Sequence, residues 1–138
     1  MRARNKAKAD LLRRVPLFSQ LSAKQLASIA SIADEVDLKE GKRLTREGER
    51  GREFFVLLDG GADVERKGKK VNSMGPGEFF GEIALLTHVP RTATVTTTEP
   101  TRALVIRAPE FRSLLRRTPA LQLEVLDALA QRLAHNEA

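Results

Sequence analysis

The chain contains no cysteine, no tryptophan and no tyrosine. The first absence excludes disulfides and thiolate chemistry and is compatible with the cytosol. The other two leave phenylalanine, arginine and aliphatic side chains to stack on any planar ring. Histidine is scarce: His88 and His135 are the only two. A single-domain metal hydrolase wants several His and Asp ligands converging, so that class is not expected. No apolar run approaches the roughly 18 to 20 residues of a membrane span. The basic N-terminus is not followed by the apolar core of a secretory signal. Glycine is absent from both ends, since all nine glycines lie between Gly41 and Gly81.

A length of 138 residues bounds the chain to one domain, and 41% hydrophobic residues exclude a disordered protein. The net charge is +6. Much of it is at the start, where Arg2, Arg4, Lys6, Lys8, Arg13 and Arg14 stand against Asp10 alone. Residues 1–14 therefore read either as a solvated, partly frayed arm or as a docking arm for an anionic partner. No aromatic interleaving or zinc-ligand spacing accompanies the arm, so direct nucleic-acid binding is not expected.

Patterning begins at Leu11. Val15 to Phe18 forms a short apolar connector after a helix. Ser22 and Gln25 have capping-box spacing, with Leu21 and Leu26 as the flanking staple. Leu26, Ile29, Ala30 and Ala33 form the buried stripe of that second helix. The glycine-rich middle separates strand-length runs at 42–46, 53–58, 62–66 and 70–74, and strands resume at 92–98 and 102–107. Phe54 to Leu58 is continuously apolar, as in a strand covered on both faces. About seven or eight strands are expected, in a double-sheet jelly roll able to hold a small ligand. Two helices follow. Phe111, Leu114 and Leu115 line the first. Thr118-Pro119 starts the second, whose stripe is read as Leu121, Val125, Leu126, Leu129 and Leu133.

The chemistry concentrates between Gly77 and Val95. Gly75-Pro76-Gly77 makes a turn, and Phe79 and Phe80 are apolar anchors. Gly81 has no Cβ, so backbone can approach whatever lies in front of it. Glu82 to Leu86 can form about one helical turn, whose first N–H groups attract an anion. Pro90 stiffens the following loop. Arg91 offers a planar fork suited to phosphate, with the Thr92 hydroxyl beside it. Glu82 would be repelled by a phosphate unless it has its own task, such as accepting hydrogen bonds from a sugar hydroxyl. Phosphate and ribose held by one segment suggest a nucleotide monophosphate.

This stretch resembles the phosphate-binding cassette of the cyclic nucleotide-binding domain family. The family pattern is met at Phe80 to Leu85 (Phe-Gly-Glu-Ile-Ala-Leu) and at Pro90 to Val95 (Pro-Arg-Thr-Ala-Thr-Val). The resemblance implies a cyclic nucleotide ligand, cAMP first and cGMP second, with no other cofactor. It places the ligand against Phe80, Gly81, Glu82, Ile83, Ala84, Leu85, Pro90, Arg91, Thr92 and Ala93. Glu82 would accept the ribose 2′-OH. The N–H groups of Ile83 and Ala84 and the side chain of Arg91 would meet the cyclic phosphate. Thr92 would touch the phosphate or the base. Leu85 would touch the Phe111 helix and report occupancy. Gly60-Gly61 departs slightly from the family's usual turn and reads as a local turn or bulge change.

The expected fold is mainly β with flanking helices, of α+β type. It is an eight-stranded double-sheet jelly-roll barrel with N-terminal helices, a short cassette helix and two C-terminal helices. In family terms, residues 15–138 form the domain. Residues 15–35 are its N-terminal helical part, 36–107 the barrel with the cassette at 80–95, and 108–138 the hinge and lid helices. The expected partner is a protein effector, in trans or fused in a longer chain, with a homodimer through the last helix as a further option. No helix-turn-helix follows, so the chain is read either as a free-standing sensor or as a fragment. Cupin-type enzymes share the architecture, but they need two or three inward-facing histidines, so a non-enzyme is expected. The rival reading is a ligand-blind interaction module using the same barrel, or the ligand-binding fragment of a transcriptional regulator.

Overall fold

A computed structural model describes residues 2–81 and 90–137. Among these are four α-helices and eight strands. Helix α1 is Arg2–Arg13, followed by a 3-10 turn at Pro16–Phe18 and by α2 at Ala23–Ile32. The strands are β1 Asp34–Leu38, β2 Arg43–Thr45, β3 Glu53–Asp59, β4 Ala62–Arg66, β5 Lys69–Met74, β6 Phe79–Phe80, β7 Thr94–Thr97 and β8 Thr101–Arg107. Helices α3, Ala108–Arg117, and α4, Pro119–Glu137, close the chain. No described helix is long and apolar enough to cross a membrane.

The strands form two antiparallel four-stranded sheets, ordered β1-β8-β3-β6 and β2-β7-β4-β5. Phe55, Leu57, Phe80 and Val105 from the first sheet join Ala62, Met74 and Val95 from the second in one core. The period of two sends Phe54 to the opposite face of β3. There its ring meets Phe79 at 5.6 Å and stacks on Phe111 at 4.2 Å. Both faces of β3 are thus covered, as its continuous apolar run requires. A register shift between Leu57 and Asp59 lies just before the Gly60-Gly61 turn.

The chain divides into two compact units, 32–112 and 1–31 with 113–138. The division falls within α3. In the helical unit the capping box forms as the spacing predicts. The Ser22 N–H donates to Gln25 Oε1 at 2.9 Å, and the Gln25 N–H donates to Ser22 Oγ at 3.1 Å. Leu21 and Leu26 are both buried. Thr118 caps α4: its carbonyl accepts from the Leu121 N–H at 3.0 Å, with Pro119 as the first helical residue.

Four readings need correction. The basic stretch is helical over Arg2–Arg13 rather than a frayed arm; its alanines, leucines and arginines are strong helix formers, and Leu12 is fully buried. Strand β1 begins at Asp34, two residues after α2 ends. Phe79-Phe80 is a strand paired with Val56 and Phe55, not only an anchor after a turn. In α4, Leu121 and Val125 are buried, but Leu126 is 62% exposed. At about 100° per residue, Leu126 stands about 140° round the helix from Leu121, off the buried stripe.

Candidate functional site

Arg91 is the centre of the described site. It lies just before β7 and, although charged, is only 8% exposed. Its backbone is clamped to the β2–β3 loop: the Arg91 N–H donates to Glu49 O at 2.7 Å, and the Gly48 N–H donates to Arg91 O at 2.9 Å. Its side chain is held from two more directions. Nη1 donates to the Gly81 carbonyl at 3.1 Å, and Nη2 donates to the Glu53 carbonyl at 2.6 Å. The guanidinium therefore bridges the end of β6 to the start of β3. A planar fork bound by two fixed carbonyls loses little further freedom when an anion arrives.

Gly81 is required there on two grounds. Its φ is +99°, a region that side-chain-bearing residues rarely adopt. A Cβ would also come within 2.6 Å of Arg91 Nη1 and 2.7 Å of the Glu53 carbonyl. The neighbouring anchor, Phe80, is buried and stacks on Phe55 with ring centroids 4.9 Å apart. Packing of Phe80 fixes where the next residue, Gly81, must be. On the other side, Ala93 is buried, and its carbonyl accepts from the Thr45 hydroxyl at 3.0 Å. Pro90 and Thr92 flank Arg91 and are exposed.

Of the residues singled out from sequence, Gly81 and Arg91 are thus in contact, Phe80 and Ala93 support them from the core, and Pro90 and Thr92 face solvent. Glu82, Ile83, Ala84 and Leu85, together with His88 and the expected cassette helix, lie outside the described residues. Sequence reasoning missed the parts of the β2–β3 loop that hold Arg91. All four contacts just described are backbone groups, two of them from Gly48 and Glu49 in that loop, one from Glu53 at the start of β3 and one from Gly81, and no residue type announces a backbone group. A cavity of about 450 Å³ opens beside this loop, with Thr45, Glu49, Arg50, Arg52, Glu53 and Arg91 among its walls. Among the described residues no cluster of His, Cys, Asp or Glu could hold a metal ion.

An antiparallel double-sheet barrel with an arginine fixed between its strands is a ligand-binding scaffold of jelly-roll type. The chain belongs to the cyclic nucleotide-binding domain family, whose profile matches residues 35–118. A putative potassium channel protein of Rhodopseudomonas palustris is 32% identical over 131 residues, covering 92% of this chain and 32% of that protein. A cAMP-dependent protein kinase regulatory subunit of Mycosarcoma maydis is 45% identical over 89 residues, covering 59% of this chain and 16% of that protein. A cAMP-bound regulatory subunit of protein kinase A superposes with a TM-score of 0.86 at 25% identity, over 99% of this chain and 48% of that one. The chain therefore spans a third or less of the two relatives' lengths.

Proposed function

We propose that the chain is a cyclic nucleotide sensor, that its ligand is cAMP, and that it has no catalytic activity of its own. The observation that carries this reading is the buried guanidinium of Arg91, oriented by the Gly81 and Glu53 carbonyls within a family cassette. A cyclic phosphate has one negative charge and two exocyclic oxygens, which suit a bidentate fork. Glu82 is assigned to the ribose 2′-OH, the N–H groups of Ile83 and Ala84 to the phosphate, and Thr92 to the phosphate or base. The ligand acts by shifting a population. It favours one arrangement of the C-terminal helices only by the difference in its affinity for the two. The output is control of a partner protein or a fused effector, in the cytoplasm.

The test is calorimetric titration of nucleotide-free protein with cAMP and then cGMP, beside Arg91→Ala. Removing the guanidinium leaves the phosphate charge uncompensated. By analogy with other desolvated charge pairs this costs about 2–5 kcal/mol, or roughly 30- to several-thousandfold in affinity. Micromolar or tighter binding of cAMP, lost in a folded Arg91→Ala variant, is the expected result. Tighter binding of cGMP would reassign the ligand. No heat with either nucleotide, from protein shown to be folded and empty, would overturn the sensor reading.

A further inference from the structure

The barrel unit, residues 32–112, has fourteen basic and fourteen acidic residues and is neutral as a whole. Its charge is nonetheless sorted. Strands β2 and β4 are both antiparallel to β7, so their C-terminal ends lie at one end of the second sheet. At that end the β4–β5 hairpin turns through Arg66, Lys67, Gly68, Lys69 and Lys70, all of them exposed. The β2–β3 loop lies beside it: the Lys67 N–H donates to Glu47 Oε1 at 2.8 Å. That loop adds Arg46, Arg50 and Arg52. Arg46 faces Glu49 at 3.6 Å and Lys70 faces Asp63 at 3.3 Å. Arg50, Arg52, Arg66, Lys67 and Lys69 form no ion pair among the described residues.

The hairpin tip shows a second signal. Lys67 is the only non-glycine residue with positive φ among the described residues, at 53°, and Gly68 follows at 77°. Two-residue turns of this kind favour Asn, Asp or Gly at the first position. A lysine there is held in a conformation its side chain disfavours. The turn keeps a cation where backbone chemistry would select against one. Edge lysines can serve to block strand pairing, but β5 already has a bulge at Val71 that interrupts its edge.

We propose that this end of the barrel is a docking surface for an acidic, extended polypeptide segment carrying several closely spaced Asp or Glu side chains. Recognition is by charge rather than by strand addition, because the Val71 bulge breaks the edge. The missing aromatics count against nucleic acid and leave arginine alone to stack on a base. All six phenylalanines are buried and there is no Tyr or Trp, so among the described residues no Phe, Tyr or Trp ring is exposed for a base to stack on. A membrane surface is also disfavoured. Beside the tip only Val71 offers exposed aliphatic surface, and stable attachment needs a second signal beyond a basic cluster. The inference does not depend on whether a nucleotide binds.

The test uses the full chain, isotopically labelled and free of nucleotide, titrated with a decaglutamate peptide. Two variants, each losing three charges, are compared. Arg66→Gln with Lys67→Asn and Lys69→Gln alters the tip, with Asn chosen to suit the positive φ. Arg13→Gln with Arg14→Gln and Arg116→Gln alters exposed cations of the helical unit. Amide shifts at residues 46–53 and 65–70 are expected. Binding should weaken by about tenfold or more in the tip variant and by less than about twofold in the other, and should fall with salt. Equal weakening in both variants, or shifts confined to residues 2–14, would overturn the proposal. So would binding of phosphatidylserine-containing vesicles or of a single-stranded thymidine oligonucleotide by protein that ignores the peptide.

Discussion

Strands β3 and β5 are similar in length, and their surroundings are opposite. In β3, Phe54, Phe55, Val56 and Leu57 are all buried. In β5, only the last residue, Met74, is buried, and Lys69 to Ser73 are exposed. The central strand contributes to the candidate site without offering it a side chain. Its rings fix the position of β6, and its first carbonyl, Glu53 O, holds Arg91. The edge strand offers side chains and almost no packing. Function that rests on β3 is therefore tied to stability, while function that rests on β5 is separable from it.

The largest effect expected is from Phe54→Ala. The ring is fully buried and touches both Phe79 and Phe111. Its removal should cost about 3–5 kcal/mol of stability, read by denaturant unfolding. A loss below about 1 kcal/mol would show that β3 is not the stabilising centre of the barrel. Gly81→Ala should come next. The new Cβ meets the Glu53 carbonyl and the Arg91 fork at a positive φ, for a cost of about 1–3 kcal/mol. Ligand affinity should fall with it, because relief of the clash moves Arg91. Unchanged affinity in a folded Gly81→Ala protein would separate Arg91 from the backbone that holds it.

How much of this was legible in the sequence follows the same division. Features written in side chains could be read: the Ser22/Gln25 capping box, the apolar run of β3, the missing Cβ at Gly81. Features written in backbone could not. The Glu53 and Gly81 carbonyls that grip Arg91 have no residue signature. Strand β1, Asp-Glu-Val-Asp-Leu, hides because Val36 and Leu38 are its only apolar residues. Strand β6 is two residues long, too short for any period. Leu126 misled because a leucine-rich helix does not say which leucines face inward, and Leu123 at 69% exposure lies on the same outer side. In the Lys67-Gly68 turn the glycine marked the bend. The positive φ of the lysine, which the backbone alone reveals, sets it apart.

The smallest effect is the sharpest test of the contrast. Val71 is the bulged residue of β5, 53% exposed and outside the barrel core. If β5 is a display strand, Val71→Thr should change stability by no more than about 0.5 kcal/mol, since an exposed β-branched residue replaces another. Nucleotide affinity should not change, because Val71 is not among the described groups that hold Arg91 or line the cavity beside it. The measurement is a denaturant midpoint paired with one calorimetric titration. A loss of about 2 kcal/mol or more would place Val71 under another surface. In that case β5 would be covered rather than displayed, and its division from β3 would rest on charge alone.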